Sequence, residues 1–289
     1  DGACIEGCII DRQIHGVALF VGRRRHSRSS CSASGLGSSD LQHAGGEIDS
    51  MDSGRPSVGK CFAEITGAAG NLGRATAAAF GTAGANLVLV DLYGHALDAA
   101  YPADEGHRVK CPLNLMVPDE IEAAVAEAEG RFGQIDVLAA IAGGFHMGET
   151  VHSLPGDKWE LMMDLNARTL LNTTAVVVPK MIENSSGKIV TIGANAARQG
   201  MANMGAYIAA KSAVIRLTET MSSELRGKGV NVNCVMPSII DTPENRSAMP
   251  AADPNNWVSP EKLANVILFL CSEEASAVHG ACIPIIGLS

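Results

Sequence analysis

From residue 57 onward, short apolar runs alternate with longer segments whose apolar residues recur every third or fourth position. The apolar runs predict strands at Lys60–Ile65, Asn86–Val90, Val137–Ala142, Lys188–Gly193, Val230–Met236 and Ala281–Ile286. The periodic segments predict helices at Leu72–Ala83, Asp119–Phe132, Asp157–Val178, Gly205–Leu225 and Pro260–Leu270.

This alternation predicts an α/β fold, a single Rossmann domain over residues 57–289 with a doubly wound parallel sheet and helices on both faces. Ligands of such sheets bind at the carboxyl ends of the strands, near the point where the strand order reverses. Glu64 is an exception to the pattern, because it places a carboxylate in the strand that should be most deeply buried.

Residues 1–56 have a different composition and are left out of the predicted domain. No Asp or Glu occurs between Arg12 and Ser39, a stretch rich in arginine and serine. Such a composition is typical of an organellar transit peptide, and the alternative is a disordered or non-native extension ahead of an internal start at Met51. We expect a cytoplasmic protein, or an organellar one if the extension is a transit peptide.

Charge and composition exclude several classes of partner. The formal net charge of −9 argues against nucleic acid or an anionic membrane as the main partner. No apolar run approaches the roughly 18 residues of a membrane-spanning helix. The 8 cysteines form no C-x-x-C pair, and the histidines show no H-x-x-x-H spacing, so we expect neither a disulfide framework nor a metal site.

A glycine-rich turn between the first predicted strand and the first helix is the first candidate site. Glycines here allow a tight turn and close approach of a pyrophosphate, which the helix N-terminus attracts. The predicted cofactor-binding residues of this turn are Gly67, Gly70, Asn71, Leu72 and Gly73.

Asp91 ends the second predicted strand, 24 residues after Gly67. A carboxylate at this place accepts hydrogen bonds from the adenosine ribose and repels a 2′-phosphate, which predicts NAD as the cofactor. Arg74 could bind a phosphate, so NADP remains an alternative.

Tyr207 and Lys211 are spaced i, i+4 and share one face of a predicted helix. A lysine cation beside a phenol favours the phenolate, so we expect Lys211 to lower the pKa of Tyr207 from about 10. Tyr207 could then donate or accept a proton near neutral pH. The alternative is an exposed amphipathic pair.

Taken in order, the Thr66–Gly73 turn, Asp91, the Ala142-Gly143-Gly144 stretch, Asn166 and the Tyr207/Lys211 pair resemble the short-chain dehydrogenase/reductase family. The resemblance implies that Tyr207 is the catalytic acid/base, that Lys211 tunes it and holds the nicotinamide ribose, and that Asn166 anchors a proton-relay water. It also implies a homodimer or homotetramer acting on a small molecule. Further cofactor contacts are implied at Ala142, Gly143, Gly144, Pro237, Ile239, Ile240 and Thr242.

Departures from the family pattern bear on the substrate. The serine expected 13 residues before Tyr207 is Ala194, and Asn71 replaces a glycine of the turn. Together with the Asp241–Trp257 stretch and Phe145, which would lie beside a pterin, these features resemble the dihydropteridine reductase branch. A quinonoid dihydropterin accepts hydride on a conjugated, imine-like system, so no alkoxide forms and a serine donor is dispensable.

Two alternatives remain open. The substrate could be a ketone or secondary alcohol, including a 3-oxoacyl chain, with Asn195 or a water replacing the serine beside Ala194. The chain could instead be a sensor that binds NAD without turnover. Phe145 could equally be a core residue, and Asn166 a hydrogen-bonding residue within a helix.

Overall fold

The computed structural model describes residues 61–103 and 105–288. The predicted extension over residues 1–56, and the start of the domain at residues 57–60, lie outside the described residues. One parallel sheet contains seven strands: β1 (Phe62–Thr66), β2 (Asn86–Asp91), β3 (Arg108–Pro112), β4 (Val137–Ala140), β5 (Gly187–Ile192), β6 (Val230–Pro237) and β7 (Cys282–Ile285). The α-helices are α1 (Asn71–Thr82), α2 (Gly94–Ala100), α3 (Pro118–Phe132), α4 (Gly156–Met163), α5 (Thr169–Glu183), α6 (Gly205–Leu225), α7 (Pro243–Ala248) and α8 (Pro260–Leu270).

The strand order is β3-β2-β1-β4-β5-β6-β7, which confirms the doubly wound α/β fold. Helices α3, α5 and α6 bury apolar side chains on one face of the sheet, and α1, α2 and α8 do so on the other. The strand order reverses between β1 and β4, so the loops that follow these strands diverge and leave a cleft. Within the described residues, no helix is long and apolar enough to cross a membrane.

Strand β3 and helices α2 and α7 were not predicted. β3 lies at the edge of the sheet and buries only alternate residues, Val109 and Cys111, while Lys110 and Pro112 are exposed. An edge strand therefore lacks the continuous apolar run that marks the central strands. The other strand and helix bounds differ from the prediction by a few residues at most, apart from the helix predicted at Asp157–Val178.

A π-helical turn at Asp164–Arg168 interrupts the long helix predicted at Asp157–Val178, so that α4 and α5 are separate α-helical segments. The helix also does not end before Pro179 but runs on to Glu183. Val177 and Met181, on either side of the proline, are both fully buried. Packing therefore keeps α5 continuous through Pro179, although proline in a helix interior normally breaks or kinks the helix.

Glu64 lies in the centre of the sheet and is 1% exposed. Its strand neighbours in register are Val88 and Leu138, both buried. Its Oε2 atom has no hydrogen-bond partner among the described residues. Because burial disfavours the charged form, the pKa of Glu64 rises from 4.5 to about 7.

Candidate active site

A cleft of about 1250 Å³ opens at the carboxyl ends of the strands. This volume exceeds the roughly 300–1,000 Å³ of ordinary small-ligand pockets, so it can hold a dinucleotide together with a small second molecule. All the predicted site residues except Asn166 line the cleft. They are Gly67, Gly70, Asn71, Leu72, Gly73, Asp91, Ala142, Gly143, Gly144, Phe145, Ala194, Asn195, Tyr207, Lys211, Pro237, Ile239, Ile240 and Thr242.

The turn between β1 and α1 requires glycine at specific positions. Gly67 has φ +66°, and a Cβ there would lie 3.0 Å from Cα of Ala142. A Cβ on Gly73 would lie 2.1 Å from the carbonyl oxygen of Gly67. The N-cap of α1 is Gly70, which offers no side-chain cap, and the first turn carries no acidic residue. The N-terminal amides of α1 are thus available to an anion in the cleft.

Two hydrogen-bonding side chains outside the predicted set hold this turn in place. The Thr66 hydroxyl accepts hydrogen bonds from the backbone amides of Ile141 (3.0 Å) and Ala142 (3.1 Å), which ties the end of β1 to the loop after β4. The Tyr101 hydroxyl donates to the carbonyl oxygen of Ala68 at 2.8 Å. Tyr101 follows the unpredicted helix α2, so the sequence pattern did not connect it with the turn.

Asp91 lines the cleft at the end of β2 with both carboxylate oxygens held by backbone amides. Oδ2 accepts from Ala69 at 2.9 Å and Oδ1 from Leu92 at 2.8 Å. Each oxygen keeps a further acceptor position, because a carboxylate offers about four in all. The carboxylate is therefore fixed and able to accept hydrogen bonds from hydroxyl groups of a ligand.

A side-chain hydrogen bond joins two segments that line the cleft. Nδ2 of Asn71, at the start of α1, donates to Oε2 of Glu244 on α7 at 2.9 Å. Oδ1 of Asn71 accepts from Nη2 of Arg74 at 2.8 Å. All three residues line the cleft, and the contact between Asn71 and Glu244 is called the Asn71–Glu244 bridge below.

Tyr207 lies in the cleft wall and is half-buried. Its ring meets the ring of Phe145 edge-on, with centroids 4.7 Å apart and planes at 73°. Burial raises the pKa of Tyr207 above its ordinary value of 10.0. The predicted lowering by Lys211 is therefore wrong for this structure, and the phenol is fully protonated at neutral pH.

Lys211 lines the same cleft but is 6% exposed. Its Nζ donates a hydrogen bond to the carbonyl oxygen of Ile192 at 2.8 Å. Burial lowers the pKa of Lys211 from 10.5 to about 8, an effect that the charge of Cys234 partly opposes. The ammonium group is still the main form at neutral pH, and two of its three donors remain for other acceptors.

Asn166 is buried in the π-helical turn and contacts the cleft only through a loop. Its Oδ1 accepts from the amide of Gly144 at 3.2 Å, and its Nδ2 donates to the carbonyl oxygens of Gly144 (3.1 Å) and Met162 (2.9 Å). A Cβ on Gly143 would lie 2.7 Å from Oδ1 of Asn166 and 3.2 Å from Nζ of Lys211. Asn166 is thus a positioning residue for the loop after β4, and its predicted role in holding a water stays a prediction.

The sequence profile of the short chain dehydrogenase family matches residues 62–253. The chain belongs to this family. It is therefore an oxidoreductase, and the fold and the cleft described above are those of a short-chain dehydrogenase.

Similar proteins include two enzymes and one solved structure. A 3-oxoacyl-(acyl-carrier-protein) reductase of Thermotoga maritima is 33% identical, over 77% of this chain and 95% of its own. An NAD-dependent glycerol dehydrogenase of Listeria innocua is 29% identical, over 75% and 89%. The crystal structure of a levodione reductase superposes with a TM-score of 0.72 at 27% identity, over 81% of this chain and 98% of its own. These relatives give no support to the dihydropteridine reductase branch.

This short-chain dehydrogenase has no hydroxyl at the position of the family serine. Ala194 is 4% exposed and lines the cleft, and Asn195 follows it at the start of a 3-10 turn, Asn195–Arg198. Oδ1 of Asn195 is buried and has no hydrogen-bond partner among the described residues. Burying a polar atom without a partner is unfavourable, so this amide is a candidate for a role in the cleft.

Several residues of the cleft were missed by the sequence analysis. Leu113–Met116 line it from the segment after β3, and they went unnoticed because β3 itself was not predicted. Met147, Arg198 and Met201 line it near Phe145 and Asn195 in sequence. Methionines and a lone arginine in irregular segments carry no motif, so only the fold brings them to the site.

Proposed function

We propose that this short-chain dehydrogenase uses NAD(H) to interconvert a ketone and a secondary alcohol, with Tyr207 as the proton donor to the carbonyl oxygen. The observation that carries the proposal is a half-buried, protonated phenol in a cleft that also contains an uncapped helix N-terminus and a fixed carboxylate. The names of the relatives, a 3-oxoacyl reductase and a glycerol dehydrogenase, support a ketone or alcohol as substrate.

The residues of the cleft fit a nicotinamide dinucleotide. The N-terminal amides of α1 would bind the pyrophosphate, and the lack of a Cβ at Gly73 lets the turn before α1 pack tightly enough to present them. Asp91 would accept hydrogen bonds from the adenosine ribose, and its negative charge disfavours a 2′-phosphate. The name of the Listeria innocua relative agrees with NAD. We therefore expect tighter binding of NADH than of NADPH, measurable by fluorescence titration.

Proton transfer would proceed from Tyr207. NADH held by the turn before α1 and by Asp91 would supply the hydride that reduces the carbonyl carbon. As negative charge grows on the carbonyl oxygen, the Tyr207 hydroxyl would donate its proton there. The raised pKa of Tyr207 keeps the phenol in the form that can donate. Lys211 lines the same cleft, and we expect its ammonium group to supply positive charge for the phenolate left behind.

Asn195 would take the place of the missing serine. Its carboxamide lies one residue beyond Ala194 and has a buried oxygen without a described partner. The amide nitrogen of Asn195 would donate an N–H to a substrate oxygen. Replacing Asn195 with alanine should lower kcat for a ketone by about 100- to 1,000-fold, as for loss of one donor to a developing oxyanion.

The test is a steady-state assay of NADH oxidation with linear ketones, cyclic ketones, a 3-oxoacyl thioester and a quinonoid dihydropterin. We expect turnover of ketones, and a loss of about 100-fold or more in kcat for Tyr207→Phe with NADH binding retained. Absence of turnover with every ketone, or an unchanged rate for Tyr207→Phe, would refute the proposal. Ala194 favours the dihydropterin as a second candidate, and turnover of that compound alone would identify it.

A further inference from the structure

The cations that line the cleft differ in how they are paired. Arg74 donates to Asn71, and Lys211 donates to the carbonyl oxygen of Ile192. Arg198 is exposed and, among residues 61–103 and 105–288, has no hydrogen-bond or ion-pair partner. Its positive charge is therefore available to a molecule that enters the cleft.

No carboxylate of the cleft wall neutralises Arg198. Asp91 and Glu244 are the acidic residues among the described residues that line the cleft. Asp91 is held by backbone amides at the end of β2, and Glu244 accepts from Asn71 in the Asn71–Glu244 bridge. The side of the cleft that contains Arg198 thus carries an uncompensated positive charge.

The backbone beside Arg198 is attached to the helix that carries Tyr207 and Lys211. Arg198 ends the 3-10 turn that begins at Asn195, and the amide of Ala197 donates to the carbonyl oxygen of Ala194 at 3.0 Å. The carbonyl oxygen of Ala197 accepts from the hydroxyl of Ser212, the residue after Lys211, at 3.2 Å. The guanidinium therefore extends from a point that is fixed relative to the catalytic helix.

Several apolar side chains line the same cleft as Arg198. They include Phe145, Met147 and Met201, while Gln199 and the half-buried Asn195 add amide groups. Small-ligand sites commonly combine such an apolar wall with a few polar groups that set orientation. Apolar side chains together with the unpaired guanidinium of Arg198 suit a molecule that has a carbon skeleton and an anionic group.

We propose that Arg198 binds an anionic group of the substrate, a carboxylate or a phosphate, so that the preferred substrate is a keto acid or a keto phosphate. This inference rests on the proposed ketone reductase function and specifies its substrate class. A guanidinium binds either anion through two parallel hydrogen bonds, which fixes orientation as well as adding affinity. Bound in this way, the anion would hold the carbonyl group at one distance from Tyr207.

The experiment compares charged and uncharged ketones on the wild type and on Arg198→Gln. One pair is 4-oxocyclohexanecarboxylate and its methyl ester, and the other is dihydroxyacetone phosphate and dihydroxyacetone. Arg131→Gln is the matched control, because Arg131 is exposed at the end of α3 and donates to the carbonyl oxygen of Gly106, outside the cleft.

We expect Arg198→Gln to raise KM for the anionic member of a pair by about 10- to 100-fold, the loss of a charged hydrogen-bonded contact. Its uncharged partner should keep its KM, and Arg131→Gln should change neither. The pair that shows this loss identifies the anion as carboxylate or phosphate. An anion preference that is absent from the wild type, or that is unchanged in Arg198→Gln, overturns the inference while leaving the ketone reductase function intact.

A binding measurement separates the two proposals if no ketone is turned over. Calorimetric titration of 4-oxocyclohexanecarboxylate and of dihydroxyacetone phosphate into the protein with NADH measures the anion contact without catalysis. Weaker binding to Arg198→Gln than to Arg131→Gln supports the role of Arg198 even then. Equal binding to the two variants, or no binding to the wild type, overturns it.

Discussion

Replacement of Glu64 by glutamine should stabilise the protein at alkaline pH. Glu64 is 1% exposed between Val88 and Leu138, and its Oε2 has no partner among the described residues. Glutamine has nearly the same shape and carries no charge at any pH. The substitution therefore removes the unfavourable ionisation of the side chain and leaves the surrounding packing in place.

The size of the effect follows from the pKa of Glu64, which burial raises from 4.5 to about 7. The pKa of Glu64 is higher in the folded state than in the unfolded state, so the folded state binds the proton more tightly. The resulting contribution to the free energy of unfolding is fully present below about pH 4.5 and is lost as pH rises through about 7. At about 1.4 kcal/mol for each pKa unit, the free energy of unfolding falls by about 3 kcal/mol over this range. That corresponds to a decrease in Tm of roughly 6–12 °C for a domain of this size.

The assay is denaturant unfolding of the wild type and Glu64→Gln at pH 5 and pH 8. We expect an advantage of about 1 kcal/mol or less for Glu64→Gln at pH 5 and of about 3 kcal/mol at pH 8. Glu122→Gln, an exposed glutamate on α3, should follow the wild type at both pH values. If Glu64→Gln loses stability with pH as steeply as the wild type does, Glu64 does not ionise in the core and the reasoning fails.

Gly73→Ala should reduce NADH affinity by about tenfold or more in fluorescence titration. The new Cβ would lie 2.1 Å from the carbonyl oxygen of Gly67 and would distort the turn. An unchanged affinity would show that the turn does not need glycine at this position. Asn166→Ala should lower kcat, because the loop at Gly144 loses both of its hydrogen bonds to this side chain. Asn166→Asp can still accept from the amide of Gly144, so it should recover part of the lost kcat if that bond is the one that matters. Because the pKa of Lys211 is lowered to about 8, kcat/KM for ketone reduction should fall as pH rises through about 8, and a flat profile would exclude a role for the ammonium group. We also propose a homodimer or homotetramer, which light scattering after size exclusion would detect; a monomer would refute it.

The sequence pattern was sufficient for the central sheet because strands buried on both faces appear as continuous apolar runs. It was also sufficient for α6 and α8, whose observed bounds, Gly205–Leu225 and Pro260–Leu270, are those predicted. It failed at β3, where only one face is buried, at the short helices α2 and α7, and at the π-helical turn, whose extra residue leaves no mark on the apolar periodicity. At β3 and at the π-helical turn, tertiary packing rather than local pattern determines the backbone.

The sequence was sufficient to predict the site residues that belong to a motif. It was not sufficient for properties that depend on tertiary contacts. Glycines, Asp91, Tyr207 and Lys211 lie in the cleft as their spacing indicated. The pKa of Tyr207 could not be predicted from the spacing, because i, i+4 proximity to Lys211 says nothing of how far the phenol is buried. The substrate class could not be predicted from the sequence either. Arg198 points to an anionic substrate only once the structure shows that it lines the cleft without a partner among the described residues.

The Asn71–Glu244 bridge has a consequence for the exchange of nucleotide. The side chains that form it are exposed, and pairs of this kind contribute about 1 kcal/mol or less. A contact of that strength or weaker is open in at least about one molecule in six at any instant, and exposed side chains change rotamer within nanoseconds. The bridge alone is thus too weak to retain a ligand, and we expect the residence time of NAD(H) to depend on its own interactions with the turn before α1 and with Asp91.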